Sequence, residues 1–99
     1  MVSHVDSIAS IRAFVAAAEA GSFKQGGLSL GLTSSAVGKA ITRLEDQMAV
    51  QLFHRTTRTL SLSEPGTLFL LHAKRILQQL EEAEAELQSS AGPVANFCR

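Results

Sequence analysis

The sequence predicts a mainly α fold: three helices and a small β-hairpin, followed by one long helix. Three observations predict it. Apolar residues recur at spacings of three and four over most of the chain, the repeat of a helix with one buried side. One short stretch, Thr59 to Ser63, instead alternates Leu60 and Leu62 with hydroxyl residues at period two, as a half-buried strand does. Near the end, Phe69, Ala73, Ile76, Leu80, Ala83 and Leu87 keep spacings of four and three over a heptad seam longer than a small domain needs for its own core.

Size and charge set the bounds. Ninety-nine residues, 45% of them hydrophobic, can bury one modest core, so a single globular unit is expected. No apolar run reaches the roughly 18 residues of a membrane span, and Met1 is not followed by a signal-peptide pattern, so a cytoplasmic protein without membrane association is expected. A lone cysteine, Cys98, excludes an internal disulfide and a cysteine-based zinc site. Net charge is zero, but its distribution is polar. Lys24 to Arg75 holds seven bases against three acids, a net of +4, whereas Ile76 to Cys98 holds Glu81, Glu82, Glu84 and Glu86 with no base. Such a chain suits one end facing phosphate and the other pointing away from it.

The first helix is carried by Val5, Ile8, Ile11, Val15 and Ala18, with Phe14 beside them, and Gly21 stops it. A short second helix follows Ser22 as N-cap and is expected to turn Phe23, Leu28 and Leu30 inward before Gly31. Gly26 and Gly27 interrupt it, each costing about 1 kcal/mol against alanine, so it should be the weakest element. The glycine pair reads equally as a device for close helix packing or as erosion of the sequence.

The third helix begins after Thr33, a capping hydroxyl, and runs to about Met48. Val37, Ile41 and Leu44 fix one side to the core. The other side carries Ser34, Ser35, Gly38, Lys39, Thr42 and Arg43: donors, acceptors and cations with little bulk, which suits a helix that enters a groove and touches both phosphates and base edges. The plainer alternative is a solvated amphipathic helix. With the second helix and its glycine-containing turn, the arrangement is a helix-turn-helix whose recognition helix spans 33–47.

Leu52 and Phe53 then oppose Leu60 and Leu62 in a hairpin, or wing, whose tip from Arg55 to Arg58 presents two guanidinium groups and two threonines. An arginine on such a tip can enter a narrow minor groove; the alternative is a solvated turn. Ser63, Glu64 and Pro65 announce the long helix, expected from about Pro65 to about Ser89 and stopped by Gly92 and Pro93. Leu68, Leu71 and Leu77 are expected to pack on the first helices. The seam from Phe69 to Leu87 is expected to form a homodimer, because beyond Leu77 the rest of the chain has no apolar surface left to meet it.

An enzyme would need a convergent site. His4, His54 and His72 show no metal-ligand spacing, and no phosphate-binding loop or nucleophile motif is present, so no catalysis, metal or cofactor is expected. A protein-interaction module that forms mixed dimers with full-length relatives is the alternative function.

The blocks FVAAAEAGSF (14–23), LGLTSSAVGKAITRLE (30–45), LFHRTTRTLSLSEPG (52–66) and LEEAEAEL (80–87) together resemble the N-terminal winged helix-turn-helix domain and linker helix of LysR-type transcriptional regulators. The likeness covers about Val5 to Leu87 and joins the blocks in the right order. It implies a double-stranded-DNA-binding regulator acting as a homodimer on an inverted-repeat operator. It further implies helix contacts from Thr33, Ser34, Ser35, Gly38 and Lys39, and wing contacts from Arg55, Thr56 and Arg58. The domain organisation expected is a DNA-binding head over 1–63, a linker and dimerisation helix over 64–91, and a hinge-like tail over 92–99. Three departures stand out within the match: Gly26 and Gly27 where the family is alanine-rich, Pro65 where alanine is common, and Gly38 where serine is frequent. Family members also continue into an effector-binding domain, so no small-molecule site is expected within these residues.

Overall fold

The computed structural model describes residues 8–55 and 60–91. Its elements are α1 (Ile8–Ala20), α2 (Phe23–Leu30), α3 (Ser34–Met48), β1 (Phe53–Arg55), β2 (Leu60–Leu62) and α4 (Glu64–Ala91). Val5, expected at the start of the first helix, and the tail 92–99 with Gly92, Pro93 and Cys98, lie outside the described residues. So do His4, Thr56 and Arg58.

Helix α1 is the hub, packed by α2, α3 and α4. Phe14 is fully buried at its centre, with the Phe53 ring 5.4 Å away and the Phe69 ring 5.2 Å away, both tilted, while Phe23 meets Phe53 edge-on at 5.9 Å. Tilted and edge-on contacts set the positive rim of one ring against the negative face of another. Val37, Ile41 and Leu44 complete the core from α3, as their spacing predicts.

The caps act as the side-chain types foretell. Ser22 accepts the Gln25 N–H at 2.9 Å and Thr33 accepts that of Ala36 at 3.1 Å. Gly31, in the left-handed region at φ 72°, ends α2, and the next N–H, from Leu32, returns to the Gly27 carbonyl at 2.9 Å.

Helix α2 departs from expectation in what it buries. Gly26 and Gly27 face inward, while Leu28 is 65% exposed and Leu30 37% exposed. A Cβ on Gly26 would lie 2.7 Å from the Ala17 backbone, and one on Gly27 2.5 Å from the Leu32 carbonyl oxygen. The pair is therefore a close-packing device, and the backbones meet where side chains would otherwise interdigitate.

The hairpin pairs antiparallel with Phe53 opposite Leu62, His54 opposite Ser61 and Arg55 opposite Leu60. Phe53, Leu60 and Leu62 turn toward the core and His54 and Ser61 outward. Helix α4 starts one residue before Pro65 and continues two past Ser89. Its inner side is Phe69, Leu70, Ala73 and Leu77; Leu68 and Leu71, expected to pack on the first helices, are instead exposed at 60% and 54%. The first part of the heptad stripe, Phe69 and Ala73, is thus taken up by the core of this chain together with Leu70 and Leu77.

Candidate nucleic-acid interface

Thr33 caps α3, and the three core residues of that helix hold it by one side, which leaves the opposite side open. Thr33, Ser34, Ser35, Lys39, Thr42 and Arg43 are all exposed, and Gly38 is half-buried among them. Ser35, Gly38, Lys39 and Thr42 fall at i, i+3, i+4 and i+7, a single face. Nearly every predicted helix contact is thus gathered on one outward surface, with the positive end of the helix dipole beneath Ser34 and Ser35. Among the wing residues, Arg55 is placed through its backbone as the last residue of β1, while Thr56 and Arg58 lie outside the described residues.

What fixes the wing beneath α3 is a carboxylate that the sequence reading counted only as charge. Glu45, 9% exposed, accepts the backbone N–H of Leu52 at 2.8 Å and that of Phe53 at 3.3 Å on the same oxygen, Oε2. The chain reaches that position by turning back at Ala49, a left-handed alanine at φ 58°, with Val50 N–H returning to the Glu45 carbonyl at 3.2 Å. Ser63 closes the other side. Its hydroxyl donates to the Gln51 carbonyl at 2.6 Å and accepts the Gly66 N–H at 2.9 Å, and its own N–H reaches the Leu52 carbonyl at 2.9 Å. Gly66 packs so close that a Cβ there would run into the Leu52 carbonyl oxygen. The sequence signal for Glu45 was slight: an acid directly after the core residue Leu44, one turn before a helix end.

The predicted dimer seam divides in two. Ala73 is fully buried and half-buried Phe69 sets its ring against that of Phe14, so both pack in the core of this chain; their spacing fits either partner, and α1 is the one that meets Phe69. Ile76, at 41%, and Leu87, at 64%, are exposed together with Ala83, and Leu80 is half-buried. Beside this open half lie exposed Lys74 and Arg75 toward the head and Glu81, Glu82, Glu84 and Glu86 toward the far end. Lys74 also pairs with Glu19 of α1 at 2.9 Å. Among the described residues no cluster of His, Cys, Asp and Glu is arranged to hold a metal, and no helix is long and apolar enough to cross a membrane.

A helix-turn-helix with a wing and a long trailing helix defines the class of protein, and comparison with known proteins names the family. The family model of bacterial regulatory helix-turn-helix proteins of the lysR family matches residues 8–67, and the chain belongs to that family. It is 44% identical over 88 residues to an HTH-type transcriptional regulator in the ibpB-leuC intergenic region of Azotobacter vinelandii, a match covering 89% of this chain and 61% of that relative. It is 43% identical over 74 residues to the HTH-type transcriptional regulator CrgA of Neisseria meningitidis, covering 75% of this chain and 25% of CrgA. The chain therefore spans less than two thirds of either relative. In fold it matches the BenM DNA-binding domain in complex with benA site 1 DNA at a TM-score of 0.84 and 23% identity, covering 88% of this chain and 98% of that one. It matches the CbnR DNA-binding domain in its DNA complex at 0.81 and 26% identity, covering 87% and 99%.

Proposed function

We propose that this chain is a sequence-specific double-stranded-DNA-binding transcriptional regulator that grips an inverted-repeat operator as a homodimer. Helix α3 enters the major groove, residues 54–59 of the wing lie at the minor groove, and α4 joins two heads of about 63 residues each. The observation that carries this reading is the α3 surface: Ser34, Ser35, Gly38, Lys39, Thr42 and Arg43 share the open side of a helix whose other side is sealed in the core. Short hydroxyl side chains and cations on one rigid face are what base edges and phosphates require together. The names of the relatives and the DNA complexes of the fold neighbours support it, and DNA as the target places its action in the cytoplasm.

The homodimer rests on the open half of α4. In an antiparallel pair, Ile76, Leu80, Ala83 and Leu87 of one chain meet the same stretch of the other, and Lys74 and Arg75 fall within a turn of the partner's Glu86. Parallel pairing would set Lys74 and Arg75 against their own copies and leave no base near a glutamate of the other chain. A helix of 28 residues is about 42 Å long at 1.5 Å per residue, enough to hold two heads near the roughly 34–36 Å that separates successive major-groove faces of a duplex. The half-sites then lie about one helical turn apart on one face.

Fluorescence anisotropy titrations of the purified chain against random and selected duplexes, at several salt concentrations, test the proposal. Expected are a selected duplex bound at least about 10³-fold more tightly than random DNA and an affinity that falls steeply with salt as phosphate counterions are released. Binding that ignores both sequence and salt would sink it.

A further inference from the structure

Four glycines of the described residues lie inside helices, and the fold accounts for three of them. Gly26, Gly27 and Gly66 each touch backbone so closely that a Cβ would collide with it. Gly38 differs. A Cβ built there would stand 3.5 Å from the Phe23 ring, an ordinary van der Waals contact, and its backbone is helical with no positive φ. Alanine therefore fits at 38, and glycine is among the least favourable residues for a helix interior because its backbone loses the most freedom on folding. Nothing among the described residues asks for glycine at this point. It sits near the middle of the α3 face, between exposed Ser34 and Ser35 on one side and Lys39 and Thr42 on the other.

We propose that Gly38 is a specificity-determining residue of the DNA site, kept bare so that the duplex can approach the α3 backbone more closely than any side chain allows. The inference rests on the DNA-binding reading and deepens it. The surface offered at this position is a Cα with its hydrogens, apolar and shallow, between polar neighbours. What it receives is correspondingly apolar: a thymine C5 methyl.

Two variants, Gly38→Ala and Gly38→Ser, are to be compared with the wild type for thermal midpoint and operator affinity. The alanine variant is expected to melt higher, by on the order of 4 °C, and both variants to bind the operator at least about tenfold more weakly, since a tightly packed contact does not absorb extra atoms. Stability and affinity moving in opposite directions is the signature. Loss confined to one T·A pair, with wild-type affinity reduced by uracil at that position, supports the proposal; equal loss on every duplex, the mark of a backbone contact that reads no sequence, overturns it. Unchanged operator affinity in the alanine variant, with the wild type binding normally, overturns this inference alone. A lowered melting point would show that the fold itself needs the glycine and overturn it too. Absence of specific binding by the wild type removes the parent reading and this one together.

Discussion

Replacing Glu45 by alanine removes the side chain that clips the wing to α3, and the structure fixes what that should cost. The carboxylate holds two backbone N–H groups at 2.8 and 3.3 Å in a site that is 9% exposed. A buried donor left without an acceptor costs about 1–3 kcal/mol. The longer bond belongs at the low end of that range, and the missing carboxylate no longer has to be desolvated, so the net loss should be about 2–4 kcal/mol. Against the roughly 5–15 kcal/mol of a typical domain this is a large fraction. At about 4–8 °C per kcal/mol it should lower the melting point by roughly 10–30 °C. Glu45→Gln is the control. Both N–H groups reach a single oxygen, so an amide carbonyl in its place keeps both bonds and gives up their charge assistance, about 1 kcal/mol. Urea denaturation followed by far-ultraviolet circular dichroism separates the outcomes. A loss in the alanine variant within about 0.5 kcal/mol, as for an ordinary surface change, would refute the clip, as would a glutamine variant as damaged as the alanine one.

Ala49→Gly should stabilise the chain by about 1 kcal/mol, because the left-handed backbone at φ 58° is strained for alanine and free for glycine; a denaturation midpoint that falls would count against it. Lys39→Ala should weaken DNA binding and, if the ammonium reads a base, relax discrimination by about 1–3 kcal/mol at one position, measured by titration against single-base operator variants; unchanged affinity would mean that α3 docks differently. Gly26→Ala should destabilise by about 1–3 kcal/mol, since the new methyl meets the Ala17 backbone at 2.7 Å; a neutral result would show that α1 and α2 can part at little cost. Leu80→Lys should split the proposed dimer while each head stays folded, seen by sedimentation, with weakened protection of both half-sites in footprinting; monomers that still protect both half-sites tightly would exclude α4 as the dimer element.

Periodicity and cap chemistry revealed most of this fold because both are local. Ser22, Thr33 and Ser63 bond to N–H groups three residues away, so the residue type alone announces the function. The readings that failed all depended on what lies opposite. Leu28 and Leu30 were expected inside because apolar residues normally supply the buried surface, yet at α2 the glycines do so by letting backbones touch. Phe69 and Ala73 share a spacing that suits a coiled-coil seam and a core face equally, and only the position of α1 decides between them. Glu45 is the hardest case. Its burial follows from a left-handed turn at Ala49, a residue whose type gives no warning of one. Within the candidate site, the α3 face was legible because one helix carries all of it. The joint beneath it was not, because residues 45, 51–53, 63 and 66 come together only in the folded chain.

That joint bears on how a dimer of this chain would measure DNA. Three elements meet on the backbone of Gln51 to Phe53: α3 through Glu45, the end of β2 through Ser63, and the first turn of α4 through Gly66, whose missing Cβ is what lets Leu52 come so close. The Phe14 and Phe69 rings and the Lys74 to Glu19 pair extend the attachment along the next turns of α4. The reading head and α4 as far as Leu77 are thus bound by hydrogen bonds and aromatic packing. Beyond Leu77 the helix carries half-buried Leu80, exposed Ala83 and Leu87, and the glutamates 81, 82, 84 and 86. In the proposed dimer, then, the distance between recognition helices is set by the register in which Ile76, Leu80 and Leu87 meet their counterparts and not by play at the joint. On that proposal, the operator spacing is encoded in the stretch from Ile76 to Leu87, far from the residues proposed to touch DNA.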